Sequence, residues 1–462
     1  MFERRGSRQE QQELWIVAGE LPPATPDGFY RRINRTLEAM SFSKRVWAIC
    51  QPSYAEAGKG GRPGIDPVVY LKMLMVGFFE NIGSERGIAS RCADSLCLRG
   101  FLGYSLTEST PDHSSLSVIR QRLSLEQMKA MHRVLLEALQ QQGLLKGRKT
   151  GIDSSIIEAN ASLRGLEHRN TKEGYWDYVK RLAAEAGVDA SDPKAVRRFD
   201  KKRPGRKSSN AEWHNPHDPE AKVGRTKDGA CDMVYKPEHI SDLESGAIIT
   251  AEVRCGDEAD NDGTLKERLM KARATLKKVL PRAQRGKAMS EVCADEGYFA
   301  LEQIAALQCA GVRTVISDPH AGRRRQERQS KGQQRALRRA RCAVRSNSGK
   351  ALLRKRGEHL ERAFCHVLDH GSLRRATLRG TENLSKRLLL AALTHNLSLL
   401  LRHQTGIGTA KQALAAVWAS LASLWHLAFE VLYQTSRLLA QSSPPRKTLF
   451  NLRFINGFST GC

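Results

Sequence analysis

Up to about residue 145 the apolar positions recur every three or four residues, and the segment reads as helical. Pro67 to Phe79, PVVYLKMLMVGFF, opens with proline in a first turn and continues as a mostly apolar helix. GSERGIASRCADSLCLRGFLGY follows as two short helical pieces. In TPDHSSLSVIRQRLS, Asp112, Ser114 or Ser115 is the cap before Leu116, Ile119 and Leu123. Short helices joined by tight turns, the last carrying Arg120 and Arg122, suit a helix-turn-helix-like DNA module. They suit a plain helical bundle with solvated arginines equally well.

The texture changes near residue 148. KTGIDSSIIEANAS is a short β-run with Ile152, Ile156 and Ile157. Residues 163–228 are polar and basic, with KKRPGRKSSN inside, and read as an insertion or mobile arm. Its Tyr175, Trp176 and Tyr178 can stack on bases or pack onto the arm itself. Cys231 to Gly256 reads as a hairpin turning at Asp242, Ser245 and Gly246. A helix follows from Thr264, then a strand at Val292, a helix over 301–310 and a strand over 312–316. This alternation predicts an α/β fold, a mixed sheet flanked by helices. Two further helices, through GEHLERAFCHVL and over 384–402, follow a basic segment at about 320–356. The expected division is a helical N-terminal domain over 1–145, a catalytic domain over 146–405 and a helical tail over 406–462.

Charge narrows the partners. The 462 residues hold 75 Lys and Arg against 49 Asp and Glu, a net charge of +26, and such an excess points to a polyanion, most often nucleic acid. Arg323, Arg324, Arg325, Arg328, Arg338 and Arg339 concentrate it where little acid balances them. Ten cysteines without pairing rhythm read as small buried side chains in a reducing compartment. The charged N-terminus lacks the apolar stretch of a signal peptide, so a cytoplasmic, nucleoid-associated protein is expected. Ala413 to Phe429 holds no charge for 17 residues, but Ser420, Ser423 and His426 form a polar stripe. The segment therefore reads as a packed or partner-facing helix rather than a membrane span.

Carboxylates stand where the sheet should meet its loops. Asp153 ends the first strand, Asp295 ends a later one in EVCADEGYFA, and Glu361 lies on the helix after the basic segment. Neighbouring strand ends converge on one edge, and a helix packed across it can deliver a third acid. Three hard oxygen donors suit Mg²⁺ or Mn²⁺. Two such ions about 3.5–4 Å apart can activate water and stabilise a leaving oxygen at a phosphodiester.

These residues resemble the DDE transposases of bacterial insertion sequences, in the insertion-sequence-five group with a ribonuclease-H-like core. TGIDSSIIEANAS resembles that group's first-aspartate strand, CADEGYF its second-aspartate motif, and ERAFCHVLDHGSLRRATLRGTEN with THNL its third-acid helix. DPEAKVGRTKDG and YKPEHISDLESGAI resemble its insertion and hairpin. The resemblance spans roughly residues 60–402 and implies a catalytic, metal-binding triad of Asp153, Asp295 and Glu361 holding two divalent ions. It also implies cleavage at the element's ends, strand transfer into target DNA, recognition of terminal inverted repeats and a homo-oligomer on DNA. Related proteins often carry Arg four residues before the glutamate and Lys seven after; here Gly357 and Leu368 stand there, and Arg354 and Arg362 are the expected phosphate contacts instead. Glu358, one turn from Glu361, is a rival third acid. A catalytically inactive DNA-binding protein and a nuclease of the same core fold are the alternative functions.

Overall fold

The computed structural model describes residues 28–54, 64–204, 209–226, 228–321 and 330–442. Arg323, Arg324, Arg325 and Arg328 lie outside the described residues. The chain divides into two units, one ending at Ala410 and one beginning at Lys411, each described by itself.

Seven helices open the first unit: α1 (Phe29–Ala39), α2 (Phe42–Cys50), α3 (Pro67–Phe79), α4 (Glu85–Asp94), α5 (Leu96–Leu102), α6 (His113–Arg122) and α7 (Leu125–Gln141). Their ends follow local chemistry. Asp66 accepts from the Val68 N–H just before Pro67, and Asp112, of the three candidate caps, accepts from the Ser115 N–H at 2.8 Å. Ser124 and Gln127 form a reciprocal capping box on α7. Helix α3 is apolar on every side because it is buried on nearly every side: Leu71, Met73, Met75 and Val76 are fully covered.

The sheet is built from β1 (Lys149–Ser154), β2 (Ile157–Glu158), β5 (Lys222–Arg225), β6 (Cys231–Asp242), β7 (Ile248–Cys255), β8 (Glu291–Ala294) and β9 (Arg313–Ile316); β3 (Glu167–His168) and β4 (Trp213–His214) pair separately. β6 runs antiparallel to both β7 and β1, whereas β8 lies parallel to β1 and β9 parallel to β8. Counting β1, β6, β7, β8 and β9 as strands one to five, the order across the sheet is 3-2-1-4-5. This is the ribonuclease-H-like arrangement, a mixed sheet with helices packed on it.

Four helices of the core follow the strands: α10 (Leu265–Val279), α11 (Leu301–Cys309), α12 (Lys331–Arg345) and α13 (Asn347–Phe364), the last passing into a π turn at Cys365–Asp369. One face of the sheet buries Ile152, Ile240, Val292 and Ala294 with Leu269 and Leu276 of α10. The other buries Leu243, Cys293 and Val315 beneath Leu352 and Leu360 of α13. Helix α14 (Thr381–Thr405) is buried along most of its length. From it, Asn396 accepts from the Ile248 N–H at 2.9 Å and donates to the Ile248 carbonyl at 2.8 Å, which ties the THNL stretch to the start of β7.

Two expectations need correction. Residues 163–228 are not a bare mobile arm: α8 (Tyr175–Glu185) and α9 (Pro193–Lys202) close over a small core of Val179, Ala183 and Val196. Tyr178 packs edge-on to Trp213 and stacks on His168, and Tyr175 donates to Asp200 at 3.0 Å, so two of the three aromatics serve this core. A handful of apolar side chains suffices there because aromatics cover so much area each. The cysteines are not uniformly buried: Cys50, Cys92 and Cys293 are, but Cys97, Cys231, Cys309, Cys342 and Cys365 are exposed. The nine described cysteines are all free.

The second unit is helix α15 (Ala410–Ser442). Its Trp418, Leu424, Trp425, Leu427, Phe429 and Leu432 are exposed. Among the described residues no single helix is long and apolar enough to cross a membrane.

Candidate active site

The register of the sheet decides where the aspartates go. Gly151 of β1 stands beside Cys293 of β8, which stands beside Val315 of β9, and this row faces α13. Side chains two residues apart share a face, so Asp153 and Asp295 emerge on the α13 side, one step nearer the C-terminal ends of two adjacent parallel strands. Glycine at 151 is what lets α13 approach. A Cβ there would lie 2.5 Å from Leu360 Cδ1 and 2.8 Å from Leu243 Cδ2.

Helix α13 places Leu352, Arg356 and Leu360 on successive turns of the stripe that meets the sheet. The leucines bury themselves, and the arginine between them reaches the strand ends. Its Nη1 donates to Asp153 Oδ2 at 3.0 Å, and Nη2 lies 3.6 Å from Asp295 Oδ1. Both aspartates thus share one cationic group. Burial pushes the Asp153 carboxyl above the usual carboxylate range; Arg356 and the Ser154 N–H pull it back, and the charges of Asp295 and Asp260 push it further up.

Asp260, in the loop after β7, is a further carboxylate at this edge. Ser154 Oγ donates to it at 2.9 Å and Lys236 Nζ lies 2.8 Å away. Behind it, Glu238 is buried between Arg254 and Arg268 and accepts from the Tyr298 hydroxyl at 3.0 Å, so the wall of the site is ion-paired throughout.

Glu361 is placed differently. It is exposed, and its Oε1 lies 3.8 Å from where a Cβ on Gly357 would stand. That puts it on the flank of α13, off the Leu352–Arg356–Leu360 stripe. Glu358 is also exposed and pairs with Arg362 at 3.2 Å. The structure therefore brings Asp153 and Asp295 together but does not bring either glutamate to them. Among the described residues no group of three or more His, Cys, Asp and Glu is arranged to hold a metal ion. What is present is a pair of hard oxygen donors converging on a single positive charge, a donor set that fits a divalent cation shared by the two aspartates. Sequence reasoning missed Arg356. The available signal was a cation at i+4 from one buried leucine and i−4 from another, one position before Gly357.

The arginines expected at DNA fall into two groups. Arg120 is only 11% exposed and pairs with Glu85, so it serves packing of the helical region, whereas Arg122 lies over the Tyr54 ring at 4.7 Å and is exposed. Arg338 and Arg339 lie on the exposed face of α12, opposite Ala336, Leu337 and Ala340. Arg354, on α13, is exposed too. Arg335 and Arg345 of α12 and Lys350 of α13 are exposed as well.

The class defined by this sheet is a ribonuclease-H-like core with paired strand-end carboxylates. Residues 20–122 match the family model described as Transposase domain (DUF772), and residues 308–401 match the Transposase DDE domain. Both matches, in this order along the chain, are to transposase domains. No curated protein matches it. Among solved structures, a pre-cleavage Mos1 transpososome aligns at 11% identity over 69% of this chain and 83% of that one, with a TM-score of 0.20. The Mos1 mariner paired end complex with Mn aligns at 12% identity over 74% and 86%, with a TM-score of 0.18. Likeness this distant carries no weight here; the fold rests on strand order.

Proposed function

We propose that this chain is a metal-dependent DNA transposase that cleaves phosphodiester bonds at the ends of an insertion sequence and joins the freed 3′ ends to target DNA. The observation that carries the reading is the convergence of Asp153 and Asp295 on one cation at the C-terminal edge of parallel strands. Asp153 and Asp295 would hold Mg²⁺ or Mn²⁺, with Glu361 as the third carboxylate of the family resemblance. A bound divalent pair supplies a nucleophile at neutral pH and charge stabilisation at the leaving oxygen. The chain's own residues do the rest. The α12 and α13 arginines bind the DNA backbone through phosphates, and the two aspartates orient the reacting phosphate's surroundings. The Leu360–Gly151 contact fixes how far α13 stands from the strand ends. Terminal inverted repeats and target DNA are the proposed partners.

The test is cleavage of a labelled DNA carrying the element's end, in Mg²⁺, by wild type and by Asp153→Asn and Asp295→Asn. Loss of at least about 100-fold in both, with DNA binding kept, is expected. Undiminished cleavage in Asp295→Asn would sink the reading. Glu361→Gln compared with Glu358→Gln assigns the third acid. A second reading, a DNA-binding protein without catalysis, draws on one observation: neither glutamate is assembled with the aspartates. DNA binding with no cleavage in wild type would favour it.

A further inference from the structure

Arg387 stands near the start of α14, where that helix packs against the N-terminal helices. It is 8% exposed. Its Nη1 is buried without a hydrogen-bond partner, and no carboxylate among the described residues pairs with it. The charges around it are already matched to one another. Arg120 pairs with Glu85 through Nη1, and Ser117 Oγ donates to the other Glu85 oxygen at 2.8 Å. Lys386 donates to the Arg120 carbonyl at 3.2 Å and pairs with Glu382 at 2.8 Å. Two cations thus meet two carboxylates, and Arg387 is left as a positive charge without a counter-charge. Unused donors surround it. Arg120 Nε is buried and unpartnered, and the hydroxyl of Tyr70, a buried side chain of α3, makes no hydrogen bond among the described residues. Burial pulls the Arg387 guanidinium below the ordinary arginine value; Tyr70 and Glu85 raise it, and the like charge of Arg120 lowers it again.

We propose that Arg387, between α14 and helices α3, α4 and α6, holds an oxyanion of the phosphate class. Arginine does not escape burial by losing its proton, and a desolvated charge without a counter-charge is costly. The missing group must therefore be an anion. A guanidinium presents a planar fork that matches two oxygens of a phosphate at once, and Arg120 Nε and the Tyr70 hydroxyl add donors for the remaining oxygens. A metal cation is excluded by the sign of the charge. The burial of Arg387 favours a small free ion over a phosphate in a duplex backbone, and it agrees with Arg120 being turned inward on Glu85. Such an ion bridges α14, which is tied to the sheet through Asn396, and the helices that precede the sheet. This inference does not depend on the catalytic reading, because none of these residues belongs to the aspartate pair.

Thermal melting of the full chain tests it, first in phosphate-free chloride buffer and then with inorganic phosphate at matched ionic strength. Phosphate is expected to raise the wild-type midpoint saturably, by about 2 °C or more. In Arg387→Met the charge is gone and the phosphate increment is expected to vanish. Arg197→Met, which removes an exposed arginine of α9, is expected to keep it. Should Arg387→Met fail to fold, Arg387→Lys retains the charge without the fork and is expected to raise the phosphate concentration giving half the effect by about threefold or more. A short duplex added to the phosphate-free buffer separates the two sources of the oxyanion. An Arg387-dependent shift there assigns it to a DNA backbone, and an Arg387-dependent shift with phosphate alone assigns it to the free ion; either supports the site. The absence of an Arg387-dependent shift with both ligands overturns the proposal, as does an Arg387→Lys variant that responds to phosphate at the wild-type concentration.

Discussion

Arg356 donates to Asp153 at 3.0 Å from a buried stripe of α13, and the same guanidinium lies 3.6 Å from Asp295. A cation thus sits between two carboxylates that would otherwise repel each other. Arg356→Gln removes it. Asp153 and Arg356 are mostly buried while Asp295 is 59% exposed, so the expected loss is about 1–2 kcal/mol rather than the larger cost of breaking a fully buried pair. Added Mn²⁺ should recover more stability in the variant than it gives wild type, because no resident cation opposes it. Melting curves with and without Mn²⁺ read both quantities; equal metal-induced shifts in the two proteins would show that Arg356 does not compete for the site.

Gly151 controls the distance between α13 and the sheet. A valine there meets Leu360 and Leu243 inside contact distance, and both are fully buried. Gly151→Val is expected to cost about 1–3 kcal/mol by overpacking, and to lower cleavage further than stability alone explains because Arg356 is carried outward with the helix. A variant as stable and as active as wild type would mean the contact relaxes without moving α13.

Acid should unfold this protein earlier than its carboxylates alone require. His239 is buried beside Phe364 and burial pushes it down to about 3; His132 is pushed down to about 4 in the same way. His366 and His395, 2.8 Å apart through their Nδ1 atoms, are both depressed by burial. Each is neutral when folded and takes a proton when unfolded below about 6.5. Their contribution is therefore complete above that pH and is lost progressively as pH falls towards 4, by up to about 1.4 kcal/mol per pH unit for each group. Asp242 works the other way, since burial raises it to about 6, and burial raises Asp153 and Glu238 too; protonation of these three favours the folded state and offsets part of the loss from the four histidines. Urea midpoints taken from pH 7 to pH 5 should fall steadily; a flat profile would refute the buried-neutral assignment.

DNA affinity should drop steeply with salt, because lysines and arginines on phosphates displace condensed counterions. With six or more contacts the expected loss is about 1,000-fold between 50 and 200 mM. Arg338→Ala with Arg339→Ala should shallow the log–log slope by about two, roughly one per phosphate contact. Arg120→Ala should leave the slope alone, since that side chain is spent on Glu85. Fluorescence anisotropy on any duplex measures it, and a double variant with the wild-type slope would move the contact surface elsewhere.

Much of this protein was settled by the chain itself. The helix starts at Pro67 and within Asp112–Ser115, the hairpin around Ser245 and Gly246, and the aspartates at the ends of β1 and β8 all follow from spacing within a few residues, where backbone periodicity and capping act. Other features depended on tertiary structure. Arg356 looks like any of the arginines around it until Leu352 and Leu360 dock on the sheet and carry it to the aspartates. Arg120 looks like a DNA contact until α4 presents Glu85. Tyr175 and Tyr178 look as ready to stack on bases as to pack onto the arm until Trp213 meets them. The dividing line is physical: local pattern fixes which face of an element is apolar, whereas the partner of a charge is chosen by strand register and helix docking between residues 35 to 203 positions apart.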